Sequence, residues 1–249
     1  MHESSWIRSF HRRPGAGHRL VCFPHAGGSA SYFYRMAKVF AADPDGPAEV
    51  VAVQYPGRQD RRAEPFAAGI GELAEKIAAV LAGADDRPMT LLGHSMGATV
   101  AFEVALRLRS AVAAVVVSGR AAPSAHRGGT SHLLGDDQLI REVRALAGTD
   151  AALFGDDELV RMVLPAIRAD YRAVETYEPT AGAAVDVPIT ALTGTEDPRV
   201  TVAEIAAWEH HTRREFVLHT FRGGHFYLDH HLPAVVSLLR PALREPAVA

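Results

Sequence analysis

The sequence predicts an α/β fold in which a mostly parallel β-sheet carries helices on both faces. Short β-branched and apolar runs alternate with longer stretches of helical periodicity, which is the pattern of consecutive β-α-β units. The chain has 249 residues, a length that one large α/β domain commonly reaches. We therefore expect a single domain over residues 1–249.

Six strands and five helices are predicted from these patterns. The strand candidates are residues 18–23, 49–53, 89–92, 113–118, 188–193 and 215–221. The helix candidates are residues 31–42, 70–82, 96–108 and 202–211, with a final one near 233–239. Because helical stretches separate most of the strands, we expect neighbouring strands to run parallel.

Residues 120–180 interrupt this alternation. About 70 residues separate the fourth and fifth predicted strands, which is too long for a simple crossover. Two amphipathic segments follow a turn-rich patch at residues 123–129. Their apolar faces are predicted to carry Leu139, Val143 and Leu146 in the first segment, and Leu159, Val163, Ile167 and Tyr171 in the second. We expect a helical lid over one end of the sheet; packed helices without a gating role are the alternative.

The composition argues against several classes of function. The net charge is −3 at pH 7, so the chain lacks the basic field that nucleic acids select. No run approaches the roughly 18–20 apolar residues of a membrane span, and residues 1–13 lack the pattern of a secretory signal. The single cysteine, Cys22, excludes an internal disulfide, and its apolar neighbours favour a buried strand position over a reactive thiol. We expect a cytoplasmic protein without nucleic-acid or membrane partners.

Histidines are numerous, at 13 in the chain. Two adjacent pairs, His210-His211 and His230-His231, invite comparison with metal sites. Adjacent residues point to different faces, however, and no cysteine or acidic residue follows at a ligand spacing. We therefore expect no metal ion.

A G-x-S-x-G motif occupies residues 93–97, between an apolar run and a helical pattern. A serine at a sharp strand-to-helix turn has a strained backbone, and its neighbours two residues away must be small because the turn folds them together. This geometry raises the serine Oγ above the sheet edge and directs the following helix N-terminus at the reaction centre. Ser95 is therefore the predicted nucleophile, with a glycine-rich turn and a solvent-facing serine as the alternative.

A serine nucleophile needs a base, and the base needs an acid that orients it. In the α/β-hydrolase fold the acid and the histidine follow the serine in that order, on loops after later strands. The fifth predicted strand is followed by Gly-Thr-Glu-Asp-Pro, which offers Asp197 or Glu196. Asp197 is the predicted acid because Glu196 would point the other way, although Asp-Pro is also a common turn opener.

The predicted base is His225, which follows the sixth strand behind two glycines. His219 lies within the strand pattern, and His230 and His231 lie nearer the final helix. Only His225 occupies a strand-to-loop exit. The acid would hold the tautomer whose Nε2 faces Ser95 and would stabilise the imidazolium formed during attack.

An oxyanion hole in this architecture uses the backbone N–H after the nucleophile and a second one from the loop after an early strand. Met96 would supply the first. The second would come from the His-Ala-Gly-Gly turn after the first predicted strand, where Ala26 is the candidate and Gly27 its competitor. A glycine turn that only leads into the next helix is the alternative.

Five segments together carry a family resemblance that covers nearly the whole chain. They are Cys-Phe-Pro-His-Ala-Gly-Gly-Ser-Ala from residue 22, Gln-Tyr-Pro-Gly-Arg-Gln-Asp-Arg from residue 54, Gly-His-Ser-Met-Gly from residue 93, Gly-Thr-Glu-Asp-Pro from residue 194 and Gly-Gly-His-Phe from residue 223. The Pro-Gly-Arg of residues 56–58 discriminates most, since a generic serine hydrolase need not contain it. The chain resembles the stand-alone type II thioesterases that accompany polyketide synthases and nonribosomal peptide synthetases.

This resemblance implies hydrolysis of acyl thioesters from the phosphopantetheine arm of an acyl or peptidyl carrier protein, which clears stalled or wrongly primed groups. Ser95 would be acylated, the pantetheine thiol would leave, and water would attack with His225 as base. The arm belongs to the carrier, so no cofactor is expected on this chain. We expect a free-standing enzyme, because no fusion partner or linker is visible at either end, and a monomer is the default expectation.

The lid and several arginines indicate the expected acyl-chain size and the expected docking surface for the carrier. The modest apolar faces of the lid suggest small or medium acyl chains. Carrier proteins are usually acidic near the arm, so arginines could dock them. The docking candidates are Arg58, Arg61, Arg62, Arg161 and Arg168. A solvated polar face is the alternative for these arginines.

Two other functions compete with this one. An esterase that acts on free small esters would keep the same three catalytic residues, and only residues 25–28 and 56–58 disfavour it. A catalytically silent carrier-binding protein would tolerate Ser95→Ala. Complete triads are costly arrangements to keep without use, which argues against the silent protein.

Overall fold

The computed structural model describes residues 5–43, 46–84, 86–147 and 157–243. Its strands are β1 (Ile7–Ser9), β2 (His18–Phe23), β3 (Ala48–Val53), β4 (Met89–His94), β5 (Val112–Ser118), β6 (Ile189–Gly194) and β7 (Phe216–Phe221). They form one sheet in the order β1-β3-β2-β4-β5-β6-β7. Only β1 is antiparallel to its neighbour, and every other pair is parallel. The predicted α/β class with a mostly parallel sheet is confirmed.

The helices are α1 (Tyr34–Ala41), α2 (Ile70–Ala82), α3 (Met96–Leu108), α4 (Asp136–Ala147), α5 (Asp157–Glu175), α6 (Val202–Ala206) and α7 (Tyr227–Leu239). Helices α2 and α3 pack on one face of the sheet, and α1 and α7 pack on the other. Successive residues of a strand point to opposite faces. In β2, Val21 and Phe23 therefore join the first apolar cluster, while Leu20 and Cys22 join the second.

The spacing of apolar residues explains why the helices lie where they do. In α2, Ile70, Leu73, Ile77 and Leu81 recur at intervals of three or four and are all buried against the sheet. Helix α3 is buried along most of its length and lies directly behind β4. The turn between β4 and α3 is therefore held by packing on both sides.

The six predicted strands are all present, with ends that differ by a residue or two. Strand β1 was not predicted, because three residues on an antiparallel edge are too short to show an alternation pattern. Helix α7 begins at Tyr227, well before the predicted start near residue 233. It bends at His231, just before Pro233, because proline cannot continue the backbone hydrogen bonding of a helix.

Helices α4 and α5 lie in the predicted insertion between β5 and β6 and share a separate apolar cluster. Its members are Leu139, Ile140, Val143, Val160, Leu164, Ile167 and Tyr171. Residues 148–156 and the side chain of Leu159 lie outside the described residues. The gating role of residues 120–180 stays a prediction.

Ile167 and Tyr171 lie on the apolar face predicted for the second lid segment, whereas the prediction for Val163 was wrong. Val163 was expected on the apolar face of the second segment, but it is 39% exposed. The predicted residues were four apart throughout, and such a row drifts around a helix with 3.6 residues per turn. The buried residues Val160, Leu164, Ile167 and Tyr171 alternate steps of four and three, which follow one face more closely.

Three further features concern the described part of the chain: its helices, its metal-ligand side chains and Cys22. None of its helices has the length and apolar character needed to cross a membrane. Within the same residues, no three His, Cys, Asp or Glu side chains are grouped as metal ligands would be. Cys22 is buried in β2, and burial raises the pKa of its thiol.

The stability of the fold should depend on pH through His18. This side chain is only 2% exposed, its Nε2 lies 2.9 Å from Thr90 Oγ1, and burial lowers its pKa from 6.5 to about 4. Between these two values the unfolded chain binds a proton that the folded chain does not, so stability falls as the pH drops. Each such histidine contributes a slope of at most about 1.4 kcal/mol per pH unit.

Urea denaturation at pH 7 and pH 5 tests this prediction. The free energy of unfolding should decrease less between these pH values in His18→Gln than in the parent protein. An equal decrease in both proteins would show that His18 does not contribute to the pH dependence.

Candidate active site

Ser95 lies on a sharp turn between β4 and α3, at the carboxyl edge of the sheet. Its backbone φ of 55° and ψ of −122° place a non-glycine residue in the left-handed region, which costs energy. The Ser95 N–H donates to the Ser118 carbonyl at 2.7 Å, so the adjacent strand β5 holds the strained residue. The G-x-S-x-G motif thus has the strand-turn-helix geometry that the sequence predicted.

The two glycines of the motif permit close backbone contact. A Cβ atom on Gly93 would overlap the Gly97 carbonyl. A Cβ atom on Gly97 would overlap the Phe23 carbonyl at the end of β2. The serine turn therefore packs directly against the strand that leads into residues 24–28, which we call the β2 loop.

The loops after β6 and β7 bring Asp197 and His225 together. His225 Nδ1 lies 2.8 Å from Asp197 Oδ2, and the two side chains are 2% and 0% exposed. The Glu196 N–H donates to the Gly223 carbonyl at 2.9 Å, which joins the two loops. Glu196 itself points outward and faces Arg222 at 3.7 Å on the surface. The structure thus pairs Asp197, rather than Glu196, with His225.

The pairing leaves His225 Nε2 available. A carboxylate oxygen can only accept a hydrogen bond, so His225 Nδ1 carries the hydrogen and donates it to Asp197 Oδ2. In this tautomer Nε2 keeps its lone pair. Nε2 is buried and has no hydrogen-bond partner in the described part of the chain. The other candidate histidines lie elsewhere: His219 in β7, and His230 and His231 in α7.

Ser95 and His225 line one cavity of about 320 Å³, which we call the Ser95 cavity. Ala26 and Met96 line it as well. The rest of its wall comes mainly from the connection between β5 and β6, which includes α4 and α5, and from the loop after β6. This wall is mixed in character: Leu146, Val174 and Val200 are apolar, whereas Arg120, Tyr171, Glu175 and Arg199 are polar or charged.

The two predicted oxyanion donors differ from their competitor in hydrogen bonding. Gly27 donates its N–H to Asp170 Oδ2 at 2.7 Å, so this amide is already occupied. Within the described residues, the Ala26 and Met96 N–H groups have no acceptor. The geometry thus favours Ala26 over Gly27 as the second donor.

Several buried groups surround His225. His94 Nδ1 lies 2.9 Å from Ser118 Oγ, which lies 2.6 Å from Tyr227 OH. The His94 ring centroid is 5.1 Å from that of His225. Burial, followed by the charge of nearby His225, lowers the pKa of His94 well below its usual range, and burial lowers that of His25 to about 4. Both neighbours of His225 are therefore uncharged near neutral pH.

Two arginines predicted to dock a carrier are instead part of the interior. Arg58 is 7% exposed and forms an ion pair with Asp170. Arg61 is 4% exposed, pairs with Glu64 at 2.5 Å and donates to the Gln54 carbonyl at 2.7 Å. Neither guanidinium is free for a partner, which corrects that expectation. The remaining docking candidates keep exposed surface: Arg62, Arg161 and, in part, Arg168.

No pattern in the sequence marks Asp170, Ser118 or Tyr227 as part of a site. A signal exists for Asp170, because it follows Ile167 by three residues on the buried face of α5, where a carboxylate requires a partner. Ser118 and Tyr227 meet only through the tertiary fold, so their spacing in the sequence carries no signal.

Gly97→Ala should impair the site more than the fold. Either the end of β2 or the serine turn must move to admit the new methyl group, and a shift of about 1 Å near reacting atoms can cost 10²-fold in rate. We expect ester hydrolysis to fall by about this factor. Gly71→Ala is the control, since a Cβ there meets nothing within 4 Å. Parent-like activity of Gly97→Ala would mean that the contact with Phe23 is not critical.

Comparison with known proteins agrees with this geometry. The family model described as "Thioesterase domain" matches residues 18–243. Thioesterase PikA5 of Streptomyces venezuelae is 47% identical over 229 residues, which cover 90% of this chain and 80% of that protein. The probable cadicidin biosynthesis thioesterase of Streptomyces griseus is 45% identical over 247 residues, or 98% of this chain and 67% of that protein.

A solved structure supports the same assignment. The type II thioesterase BorB from the borrelidin biosynthetic cluster superposes with a TM-score of 0.90 at 49% identity, covering 98% of this chain and all of that one. RedJ, a thioesterase of the prodiginine pathway in Streptomyces coelicolor, superposes with a TM-score of 0.84 at 33% identity and covers 92% of this chain and 91% of that one. These matches extend over nearly the whole α/β-hydrolase fold described above, and they show that this chain belongs to the thioesterase family.

Proposed function

We propose that this chain is a type II thioesterase that removes acyl groups from the phosphopantetheine arm of a carrier protein in polyketide or nonribosomal peptide synthesis. The observation that carries the proposal is the strained Ser95 turn in the same cavity as His225, whose Nδ1 is paired with Asp197. The relatives named above supply the context, because the names of three of them refer to cadicidin biosynthesis, the borrelidin biosynthetic cluster and the prodiginine pathway.

The first chemical step is attack of Ser95 Oγ on the thioester carbonyl carbon. His225 Nε2 accepts the hydroxyl proton, and Asp197 stabilises the imidazolium that forms. The carbonyl π electrons become the oxyanion, which the Ala26 and Met96 N–H groups receive. When the C–S bond breaks, the pantetheine thiolate takes the proton from His225 and leaves, and Ser95 holds the acyl group as an ester.

The second step returns the enzyme to its starting state. A water molecule gives a proton to His225 Nε2 and attacks the acyl-serine carbonyl, which again forms an oxyanion at the same two amides. Collapse of this intermediate releases the carboxylic acid and reprotonates Ser95 Oγ. The neutral rings of His94 and His25 add no competing charge beside the imidazolium.

The size and wall of the Ser95 cavity support small to medium acyl groups. Its volume of about 320 Å³ lies at the lower end of the range for ligand pockets, about 300–1,000 Å³. The phosphopantetheine arm belongs to the carrier, so the proposal requires no cofactor on this chain. The monomeric state and the cytoplasmic location expected from the sequence stay predictions.

Mass spectrometry of an acylated holo-carrier protein tests the proposal directly. The parent protein should remove the acyl mass, and Ser95→Ala should not. Ser237→Ala is the matched control, because this serine is exposed on α7 and should behave like the parent. Hydrolysis of p-nitrophenyl esters with an untouched carrier would indicate an esterase of free esters, and removal of the acyl group by Ser95→Ala would exclude Ser95 as the nucleophile.

The role of Asp197 predicts a separate result. Asp197→Asn should lower kcat by about 10⁴-fold, because the amide no longer stabilises the imidazolium and favours the wrong tautomer of His225. Glu196→Gln should leave kcat near the parent value, since Glu196 lies on the surface beside Arg222. Steady-state kinetics with an acyl thioester measures both. A comparable loss of kcat in the two variants would show that the assignment of Asp197 as the acid is incorrect.

A further inference from the structure

Helix α5 contacts the β2 loop at three points. A Cβ atom on Gly27 would overlap the Ile167 side chain, so the helix and the loop are in close contact there. Asp170, one turn further along, accepts a hydrogen bond from the Gly27 N–H at 2.7 Å. Ala26 packs against the apolar cluster of α4 and α5. The loop that carries the proposed second oxyanion donor is therefore held from the side of the insertion.

Arg58 extends this contact to a third segment. Its guanidinium pairs with Asp170, and the two side chains are 6% and 8% exposed. Arg58 Nε donates to the Gly28 carbonyl at 2.9 Å, and Nη1 donates to the Pro56 carbonyl at 2.6 Å. The β2 loop, the loop after β3 and helix α5 thus meet at one buried ion pair, whose geometry is fixed because Arg58 donates to three acceptors and Asp170 Oδ2 accepts from two donors.

The peptide between Ala26 and Gly27 is bound at both of its polar atoms. Its N–H donates to Asp170, and its carbonyl accepts from His25 Nδ1 at 2.9 Å. Burial keeps His25 neutral near pH 7, so Nδ1 carries the hydrogen that the carbonyl requires. The preceding peptide, which carries the Ala26 N–H, is held as well, because its His25 carbonyl accepts from the Gly28 N–H at 3.0 Å.

We propose that Asp170, oriented by Arg58, is a positioning residue that aligns the Ala26 N–H with the oxyanion of the tetrahedral intermediate. This inference rests on the proposed function, since it concerns the same acyl transfer to Ser95. Transition-state stabilisation then depends on the position of α5 against the β2 loop. When Asp170 no longer accepts from the Gly27 N–H, one of the two oxyanion donors is no longer aligned. Substrate binding does not use this donor to the same extent, because the charge on oxygen develops only in the transition state.

Asp170→Asn tests the inference, because the side chain keeps its shape and loses its charge. We expect kcat to fall by about 10²-fold, toward the loss seen when an oxyanion donor is removed, while KM changes by less than about twofold. The matched control is Glu49→Gln, another buried carboxylate that pairs with Arg87 at 2.8 Å near the opposite end of the sheet. This control should lose stability and keep the kcat of the parent.

Inhibitor affinity separates positioning from a general structural effect. An acyl trifluoromethyl ketone forms a bond between its carbonyl carbon and Ser95 Oγ, its oxygen becomes the oxyanion, and the serine proton moves to His225. Asp170→Asn should weaken this inhibitor by the same factor as kcat/KM. Affinity for a thioether analogue, which has CH₂ in place of the carbonyl, should not change.

Two results would overturn the inference: parent-like kcat and ketone affinity in Asp170→Asn, or equal loss of ketone and thioether affinity. If Asp170→Asn does not fold, Arg58→Lys provides the same test. It keeps the positive charge but cannot donate hydrogen bonds to Asp170, Gly28 and Pro56 together. Failure of the proposed function is distinguishable, because a parent protein inactive on carriers but active on p-nitrophenyl esters still allows the variants to be compared on those esters.

Discussion

The backbone of the serine turn constrains the rest of the site. Ser95 occupies a strained conformation that persists because β5 holds its N–H, and because Gly93 and Gly97 allow β4, α3 and the end of β2 to approach within backbone contact. The same contact determines where the chain leaves β2, and therefore where the Ala26 amide lies. The proposed nucleophile and the β2 loop are thus positioned by one close approach of main chains, which side chains could not replace.

The proposed acid and base depend on the parallel sheet in a different way. Strands β6 and β7 end at the same edge as β4, so the loops that follow them lie beside the serine turn. Backbone hydrogen bonds between these loops hold Asp197 and His225 next to each other, independently of their side chains. The buried pair then needs only one hydrogen bond to select the tautomer of His225. The architecture thus brings Ser95 and His225, which are more than 100 positions apart in sequence, to the wall of one cavity.

Much of this arrangement was predictable from the sequence, for identifiable reasons. The buried strands, the helix over residues 70–82 and the serine turn are encoded by local periodicity and glycine spacing, and the order of Ser95, Asp197 and His225 follows from chain topology. The burial of Arg58 was not predictable, because its partner Asp170 is 112 positions away and the pair forms only when α5 reaches the β2 loop. Val163 was misplaced on α5 because a row of apolar residues four apart drifts around a helix with 3.6 residues per turn.

The separate apolar cluster of α4 and α5 has a consequence for how such an enzyme can diversify. This cluster shares no buried residue with the two clusters of the sheet, yet its helices supply part of the wall of the Ser95 cavity. Substitutions within it can reshape the space for the acyl chain while the sheet core keeps its packing. Because Tyr171 belongs to this cluster and lines the cavity, an engineer can vary the acyl space by repacking α4 against α5 with Asp170 and Arg58 left in place.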